Sequence, residues 1–146
     1  MDELTYEREY AARGYVSVAG VDEVGRGPLA GPVVCAAVIL PLNEEHRIFG
    51  IDDSKKLSAR KREELAAHIL ERARAYAIEE VPASVIDEIN ILQATRLCMK
   101  RAVEKLTPSA DMVLTDGNMT LDIALPQRSI VKGDALVASI GAASIL

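Results

Sequence analysis

Four carboxylates carry the chemistry that this sequence suggests, because each ends or follows an apolar run. Asp22 and Glu23 are adjacent and follow the run 18–21, and Asp116 follows the run 112–115. Asp134 comes after a predicted fifth strand at 129–132 that stops on Gly133. Carboxylates at neighbouring strand ends repel one another, and a divalent cation keeps several of them ionised together. Oxygen-only ligands, without His or Cys, favour a hard ion such as Mg²⁺ or Mn²⁺.

A site of this kind suits phosphoryl chemistry. Two divalent ions roughly 3.5–4 Å apart can hold the attacking and the leaving oxygen of an in-line displacement at phosphorus. Each acid taken alone is better explained as the polar end of a strand or as part of a turn. The repetition of the pattern, together with the glycine-rich segment that follows Asp22 and Glu23, favours the metal site.

Two further segments are suited to binding a ligand next to these acids. Gly25, Gly27 and Gly31 give a loop in which a ligand can approach the backbone closely. A basic cluster then lies at the beginning of a predicted helix, where free N–H groups favour anions such as a phosphate backbone. Its members are Lys55, Lys56, Arg60, Lys61 and Arg62. Lys55 precedes the helix and is the expected phosphate contact, although a solvated basic helix end explains the same pattern.

The elements that must position these residues form an alternating pattern. Strands are predicted at 15–21, 33–40, 76–81, 112–115 and 129–132. Helices are predicted at 1–12, 58–73 with Ser58 as its cap, 84–106 and 135–146. The helix at 84–106 is expected to open with a capping box, Ser84 to Asp87, and to break near Asn90. This order predicts an α/β sheet with helices against its faces. If the first strand and 112–115 are parallel neighbours, Asp22 and Asp116 lie side by side.

Composition limits the class of protein. A chain of 146 residues is enough for one domain, and an apolar content of 49% excludes general disorder. Cys35 and Cys98 lie in apolar or helical runs and are predicted to be buried thiols in a reducing compartment. Apolar runs are too short to span a bilayer, so we expect a cytoplasmic monomer with no membrane partner. The net charge of −5 argues mildly against a nucleic-acid partner, but a carboxylate site would itself contribute to it.

The sequence at 20–34, Gly-Val-Asp-Glu-Val-Gly-Arg-Gly-Pro-Leu-Ala-Gly-Pro-Val-Val, resembles the signature of bacterial type 2 ribonuclease H, ribonuclease HII. The resemblance continues in order through nearly the whole chain. Its further segments are Asp-Asp-Ser-Lys-Lys-Leu-Ser at 52–58, Ile-Asn-Ile-Leu-Gln-Ala-Thr at 89–95, Thr-Asp-Gly-Asn at 115–118, Ile-Val-Lys-Gly-Asp at 130–134 and Ser-Ile-Gly-Ala-Ala-Ser-Ile-Leu at 139–146.

This resemblance implies a ribonuclease H-like fold, with a mixed five-stranded sheet flanked by helices. It implies hydrolysis of the RNA strand of RNA/DNA hybrids and cutting at single ribonucleotides embedded in duplex DNA, with Mg²⁺ or Mn²⁺ as cofactor. By motif position, Asp22, Glu23, Asp116 and Asp134 would be the catalytic, metal-binding acids. The Gly25-Arg26-Gly27 loop would contact the 2′-hydroxyl that distinguishes RNA from DNA, and Lys55 would lie near the scissile phosphate.

The resemblance also bears on domain organisation. Residues 1–146 would be a single ribonuclease H-like catalytic domain, lacking the C-terminal helical segment with which the family continues. That segment carries basic residues and a tyrosine that packs against the junction sugar, so we expect a catalytic centre with impaired substrate binding. Two alternatives are a catalytically weak hybrid-binding fragment and a phosphotransferase of the actin or sugar-kinase type. The second would need another glycine-rich phosphate loop, which the sequence does not display.

Overall fold

The computed structural model describes residues 4–24, 31–43, 45–51 and 56–146. Five strands and five helices occur along this part of the chain. In order they are α1 (Thr5–Ala12), β1 (Val18–Glu23), β2 (Val33–Ile39), α2 (Ala59–Arg72), β3 (Ala75–Val81), α3 (Ala83–Glu104), β4 (Met112–Asp116), β5 (Gln127–Ile130), α4 (Gly133–Leu136) and α5 (Ala138–Ile145).

The strands form a mixed sheet in the order β3-β2-β1-β4-β5. β1 pairs antiparallel with β2, and β2 pairs antiparallel with β3. On its other side, β1 pairs parallel with β4, which in turn pairs parallel with β5. This sheet confirms the predicted mixed, five-stranded α/β architecture, and it places β1 at the centre.

Helices cover both faces of the sheet, and the side chains of β2 pack against the helices on both faces. Side chains alternate across a strand, so Cys35 and Ala37 face one cluster while Ala36 and Val38 face the other. α3 packs on the first face, and α2 and α5 pack on the second. A strand that is apolar at every position fits this two-sided burial. Cys98 on α3 is buried like Cys35, as predicted for both thiols, and its Sγ lies 3.2 Å from the Glu79 carbonyl oxygen.

Some local predictions are confirmed by hydrogen bonds and backbone angles. The Ser58 side chain accepts a hydrogen bond from the Lys61 N–H at 3.2 Å, so it caps α2 as expected. α3 has its predicted break at Asn90, where φ is 69° and ψ is 168°. The Asn90 side chain accepts from the Gln93 N–H at 3.0 Å and so restarts the helix after the break.

Other local predictions were wrong at element boundaries. β1 begins at Val18, and it contains Asp22 and Glu23 as its last two residues. α3 begins after Pro82 without a capping side chain among the residues described, so the predicted capping box at Ser84 and Asp87 does not form. Proline explains this start, since its fixed φ and missing N–H suit the beginning of a helix.

The end of the chain also differs from its prediction. β5 ends at Ile130, and Lys132 adopts a left-handed conformation with φ of 58°. The chain turns there into α4, so Asp134 lies in the first turn of a short helix rather than at a strand end. Val137 separates α4 from α5, and the predicted continuous helix over 135–146 is therefore two helices. Within the described ranges, no helix has the length and apolarity needed to cross a membrane.

Candidate metal centre

Asp22, Asp116 and Asp134 meet at one edge of the sheet. Each offers a carboxylate oxygen, and these three oxygens lie within 4.8 Å of one another. All three side chains are half-buried. The structure therefore brings together three of the four acids that the sequence analysis singled out.

The parallel pairing of β1 and β4 accounts for the first two of these positions. Val21 is in register with Thr115, so the next residue on each strand, Asp22 or Asp116, reaches the same edge. Apolar residues hold both strands in place, since Val21, Val113 and Leu114 are fully buried. Gly117 then turns the chain with φ of 71°, a conformation that glycine adopts readily. This is the arrangement that the sequence analysis expected for parallel neighbours.

Asp134 reaches the same edge from α4 because Gly133 allows close packing. A Cβ at Gly133 would lie 2.8 Å from Ile140 Cδ1 and 3.4 Å from Asp116 Oδ1. A side chain there would displace the end of the Ile140 side chain and crowd Asp116, and glycine avoids both contacts. The left-handed Lys132 directs the chain into the turn.

The environment of Asp22 opposes its ionisation when no cation is bound. The pKa of Asp22 is raised from 3.8 to about 7, mainly because burial disfavours the charged form. The carboxylates of Asp116, Asp134 and Glu23 raise this pKa further. A hydrogen bond that Asp22 Oδ1 accepts from the Glu23 N–H at 2.8 Å acts in the opposite direction. A cation in the cluster would relieve both the burial cost and the repulsion.

Glu23 is placed differently from the three aspartates. Its side chain is exposed, and it lines the cavity beside the cluster without belonging to the group of closely spaced oxygens. Adjacent residues on a strand point to opposite sides, which explains why Asp22 and Glu23 do not converge on one point. A role for Glu23 in metal binding remains a prediction.

An open cavity of about 730 Å³ lies over the cluster. Arg62 and Glu63 of α2 form part of its wall, and Met99 and Met119 form another part. Arg62 belongs to the basic cluster identified in the sequence, and the fold places it beside the acids. Neither methionine could be predicted from the sequence, because nothing about a lone methionine distinguishes a position in a cavity wall from one in the core.

The remaining sequence-predicted binding residues, Gly25, Arg26, Gly27 and Lys55, lie outside the described residues. Of the basic cluster, Lys56, Arg60 and Lys61 are exposed at the beginning of α2. Arg60 makes a long ion pair with Glu64, at 3.8 Å, within the same helix. The contribution of this cluster to binding remains a prediction.

The donor set fits a hard divalent cation. Three carboxylates at one point offer oxygen ligands and a formal negative charge, which Mg²⁺ and Mn²⁺ prefer over nitrogen or sulfur donors. The raised pKa of Asp22 fits as well, since burial and the neighbouring carboxylates disfavour its charged form when no cation is bound. Asp22, Asp116 and Asp134 would hold the ion.

Comparison with known proteins gives a consistent result. The sequence profile of the family described as Ribonuclease HII matches residues 19–146. The chain is 53% identical to a ribonuclease HII of Shouchella clausii over 141 residues, which is 97% of this chain and 53% of that protein. The chain thus spans about half the length of these curated relatives, including a ribonuclease HII of Leuconostoc mesenteroides that it matches at 54% identity.

Solved structures share the fold. The crystal structure of ribonuclease H2 from Pyrococcus horikoshii superimposes with a TM-score of 0.76 at 27% identity, covering 89% of this chain and 69% of that chain. A ribonuclease HIII crystallised in complex with Mn²⁺ superimposes with a TM-score of 0.63 at 22% identity, covering 89% and 50% of the two chains. The second similarity concerns the fold alone.

Proposed function

The chain belongs to the ribonuclease HII family, and we propose that it is a metal-dependent endonuclease for nucleic acids that contain ribonucleotides. Its substrates are the RNA strand of RNA/DNA hybrids and single ribonucleotides embedded in duplex DNA. The observation that carries this proposal is the meeting of the Asp22, Asp116 and Asp134 oxygens within 4.8 Å at the edge of the sheet.

The reaction is hydrolysis of a phosphodiester, in which water attacks phosphorus and the bond to the leaving oxygen breaks. A bound Mg²⁺ or Mn²⁺ supplies charge stabilisation for the oxygens on phosphorus. The aspartates would hold that ion at a fixed place, because Asp22 and Asp116 lie at the ends of β1 and β4, next to buried residues. A rigid site of this kind lowers the cost of arranging the reactants. Glu23, at the cavity wall, completes the proposed catalytic acids.

Substrate recognition is assigned to the glycine-rich segment that follows Glu23 and to the basic cluster. Gly25, Arg26 and Gly27 would contact the ribose 2′-hydroxyl, since glycine lets backbone groups approach a sugar and this hydroxyl distinguishes RNA from DNA. Lys55 would contact the phosphate next to the cleaved bond. Arg62, on the wall of the cavity, adds a cation close to the backbone of a bound strand.

Of the two alternative functions considered from the sequence, one is disfavoured by the family match and the other requires an activity measurement. The family match over residues 19–146 favours the nuclease over a phosphotransferase of the actin or sugar-kinase type. A hybrid-binding fragment with weak activity uses the same site, and only an activity measurement separates it from the nuclease.

The test is cleavage of a DNA duplex that carries one ribonucleotide, with Mg²⁺, with Mn²⁺ and with EDTA. We expect metal-dependent cutting beside the ribonucleotide, and a loss of at least about 100-fold in Asp22→Asn, because one ligand charge is removed without a change in size. The exposed Asp87→Asn on α3 is the matched control and should cut at the unaltered rate.

If no cleavage is seen, binding of the same duplex is measured by fluorescence anisotropy. Retained binding without cleavage would support the hybrid-binding fragment. Cleavage that persists in EDTA, or in Asp22→Asn, would contradict the carboxylate assignment.

A further inference from the structure

Glu7 is a buried carboxylate on α1, outside the group of acids that forms the candidate metal centre. Its side chain is only 1% exposed, and its Oε2 accepts a hydrogen bond from the Ser139 N–H at 2.8 Å. Ser139 is the second residue of α5, and N–H groups in the first turn of a helix have no partner within the helix. A negative charge there is also favoured by the helix dipole. Glu7 therefore caps α5 from a different element of the fold.

The usual local cap of α5 is missing from the described structure. Val137 occupies the capping position, and its apolar side chain accepts no hydrogen bond. A buried carboxylate is costly unless its charge is matched by donors, so the pairing between Glu7 and α5 serves both partners. The sequence alone does not reveal this pairing, because the two residues lie at opposite ends of the chain.

The capped end of α5 rests directly on the central strand. A Cβ at Gly20 would lie 2.2 Å from the Ser139 carbonyl carbon and 2.3 Å from the Ile140 nitrogen. The backbones of β1 and α5 are therefore in contact two residues before Asp22. Any shift of the first turn of α5 changes this contact.

The same helix also contacts the segment that carries Asp134. A Cβ at Gly141 would lie 3.1 Å from the Asp134 carbonyl oxygen. The Val137 N–H donates to the Gly133 carbonyl at 2.7 Å, and the Gly141 N–H donates to the Val137 carbonyl at 2.9 Å. α5 thus contacts β1 two residues before Asp22 and contacts the backbone of Asp134 in α4.

From these contacts we infer that Glu7 is a positioning residue for the candidate metal centre: by capping α5, it fixes the distance between Asp22 on β1 and Asp134 on α4. It acts through α5 and is not a catalytic residue. This inference rests on the proposed function only in assigning the ion to these aspartates.

The first measurement uses metal-free protein, so that it does not depend on the metal assignment. Amide hydrogen exchange is followed at Val137 and Gly141 in the wild type, Glu7→Ala and Glu7→Gln. In Glu7→Ala the cap of α5 is lost, so we expect exchange to accelerate about fivefold. In Glu7→Gln the amide oxygen still accepts the hydrogen bond from the Ser139 N–H, so we expect an acceleration of less than about twofold. Glu9→Ala, which removes an exposed ion pair with Arg13 at the end of α1, should leave both rates unchanged.

The second measurement is Mn²⁺ binding by isothermal titration calorimetry without nucleic acid, at a temperature where each variant is folded. We expect the affinity of Glu7→Ala to fall about tenfold, with recovery in Glu7→Gln to within about twofold of the wild type. If Glu7→Ala does not fold, Glu7→Asp replaces it, since its shorter carboxylate stays charged but withdraws from Ser139.

The outcomes separate positioning from stability. A folded Glu7→Ala or Glu7→Asp that binds Mn²⁺ like the wild type would overturn the inference, even if exchange accelerates, because the cap would then serve stability alone. A wild-type chain that binds no Mn²⁺ would contradict the proposed function itself, whereas the exchange rates would still show whether Glu7 holds α5 in place.

Discussion

At the scale of single residues, Asp22 makes the stability of the metal-free protein depend on pH. Its folded-state pKa of about 7 lies above the ordinary value of 3.8, so between these values the folded state binds more protons than the unfolded state. Stability is therefore lost as pH rises through this window. Asp22→Asn removes this pH dependence. In EDTA, the free energy of unfolding of Asp22→Asn relative to that of the wild type should therefore rise by about 1–2 kcal/mol between pH 5 and pH 8, a range that allows for solvent screening.

Urea unfolding at the two pH values measures this difference. Asp87→Asn, at an exposed position, is the control and should show a constant offset. A difference in the free energy of unfolding between Asp22→Asn and the wild type that is equal at pH 5 and pH 8 would contradict the burial of an ionisable carboxylate at this position.

Asp116→Asn tests the partner on the neighbouring strand. The change removes a ligand charge while the volume of the side chain is nearly kept, so we expect cleavage to fall by at least about 100-fold and the unfolding midpoint to stay close to that of the wild type. Cleavage kinetics and circular dichroism on the same sample check both parts. Full activity in this variant would refute the assignment of Asp116 as a ligand.

At the scale of elements, the contact between β1 and α5 makes Gly20 hard to replace. A Cβ at this position would meet the α5 backbone at 2.2 Å, so one of the two elements must move. We expect Gly20→Ala to lower the free energy of unfolding by at least about 3 kcal/mol, as for severe overpacking. Gly141→Ala is the comparison, because its Cβ would lie 3.1 Å from its neighbours, a smaller clash that a better helix former partly offsets.

Chemical denaturation of both variants gives the two values. Equal losses, or a Gly20→Ala variant as stable as the wild type, would contradict the close approach of α5 to β1. The comparison also separates crowding from the general effect of replacing a glycine.

At the scale of the whole molecule, the candidate metal centre joins parts of the chain that are distant in sequence, so it exists only when the protein is folded. A ligand that binds only the folded state stabilises it, by about 2.7 kcal/mol at a concentration of 100 times its dissociation constant. For a domain of this size, each 1 kcal/mol raises the melting temperature by roughly 2–4 °C. Mn²⁺ should therefore raise it by roughly 5–10 °C.

Differential scanning fluorimetry with Mn²⁺, and with NaCl at equal ionic strength, measures this shift. The shift should disappear in Asp116→Asn, and NaCl should not reproduce it. Equal shifts in the wild type and in Asp116→Asn would place the binding of Mn²⁺ elsewhere.

Much of the fold could be predicted because its signals are local. Apolar runs such as β2 predict buried strands, and the Ser58 cap predicts the beginning of α2. The break at Asn90 was also predictable, since a polar residue interrupts the apolar pattern of the helix there. Element ends were less predictable, as the beginnings of β1 and α3 show, because neighbouring strands and helices decide where pairing stops.

The candidate site also contains some residues whose positions could be predicted from the sequence and others whose positions could not. Sequence patterns predicted that Asp22 and Asp116 would be neighbours if their strands paired in parallel, and the structure shows that pairing. The position of Asp134 in a helical turn was not predicted, since it depends on the left-handed Lys132 and on Gly133 packing against Asp116. No local pattern could have indicated Glu7, Met99 or Met119.

The sequence by itself determined the residue types that can do chemistry, the alternation of strands and helices, and the resemblance to ribonuclease HII. These are properties of short segments, in which hydrophobic periodicity and motif spacing act over a few residues. Only the tertiary structure decided that three aspartates converge, that Glu23 stands apart from them, and that Glu7 caps α5. Such contacts join residues distant in the chain, and their distances follow from packing against the whole core rather than from any local pattern.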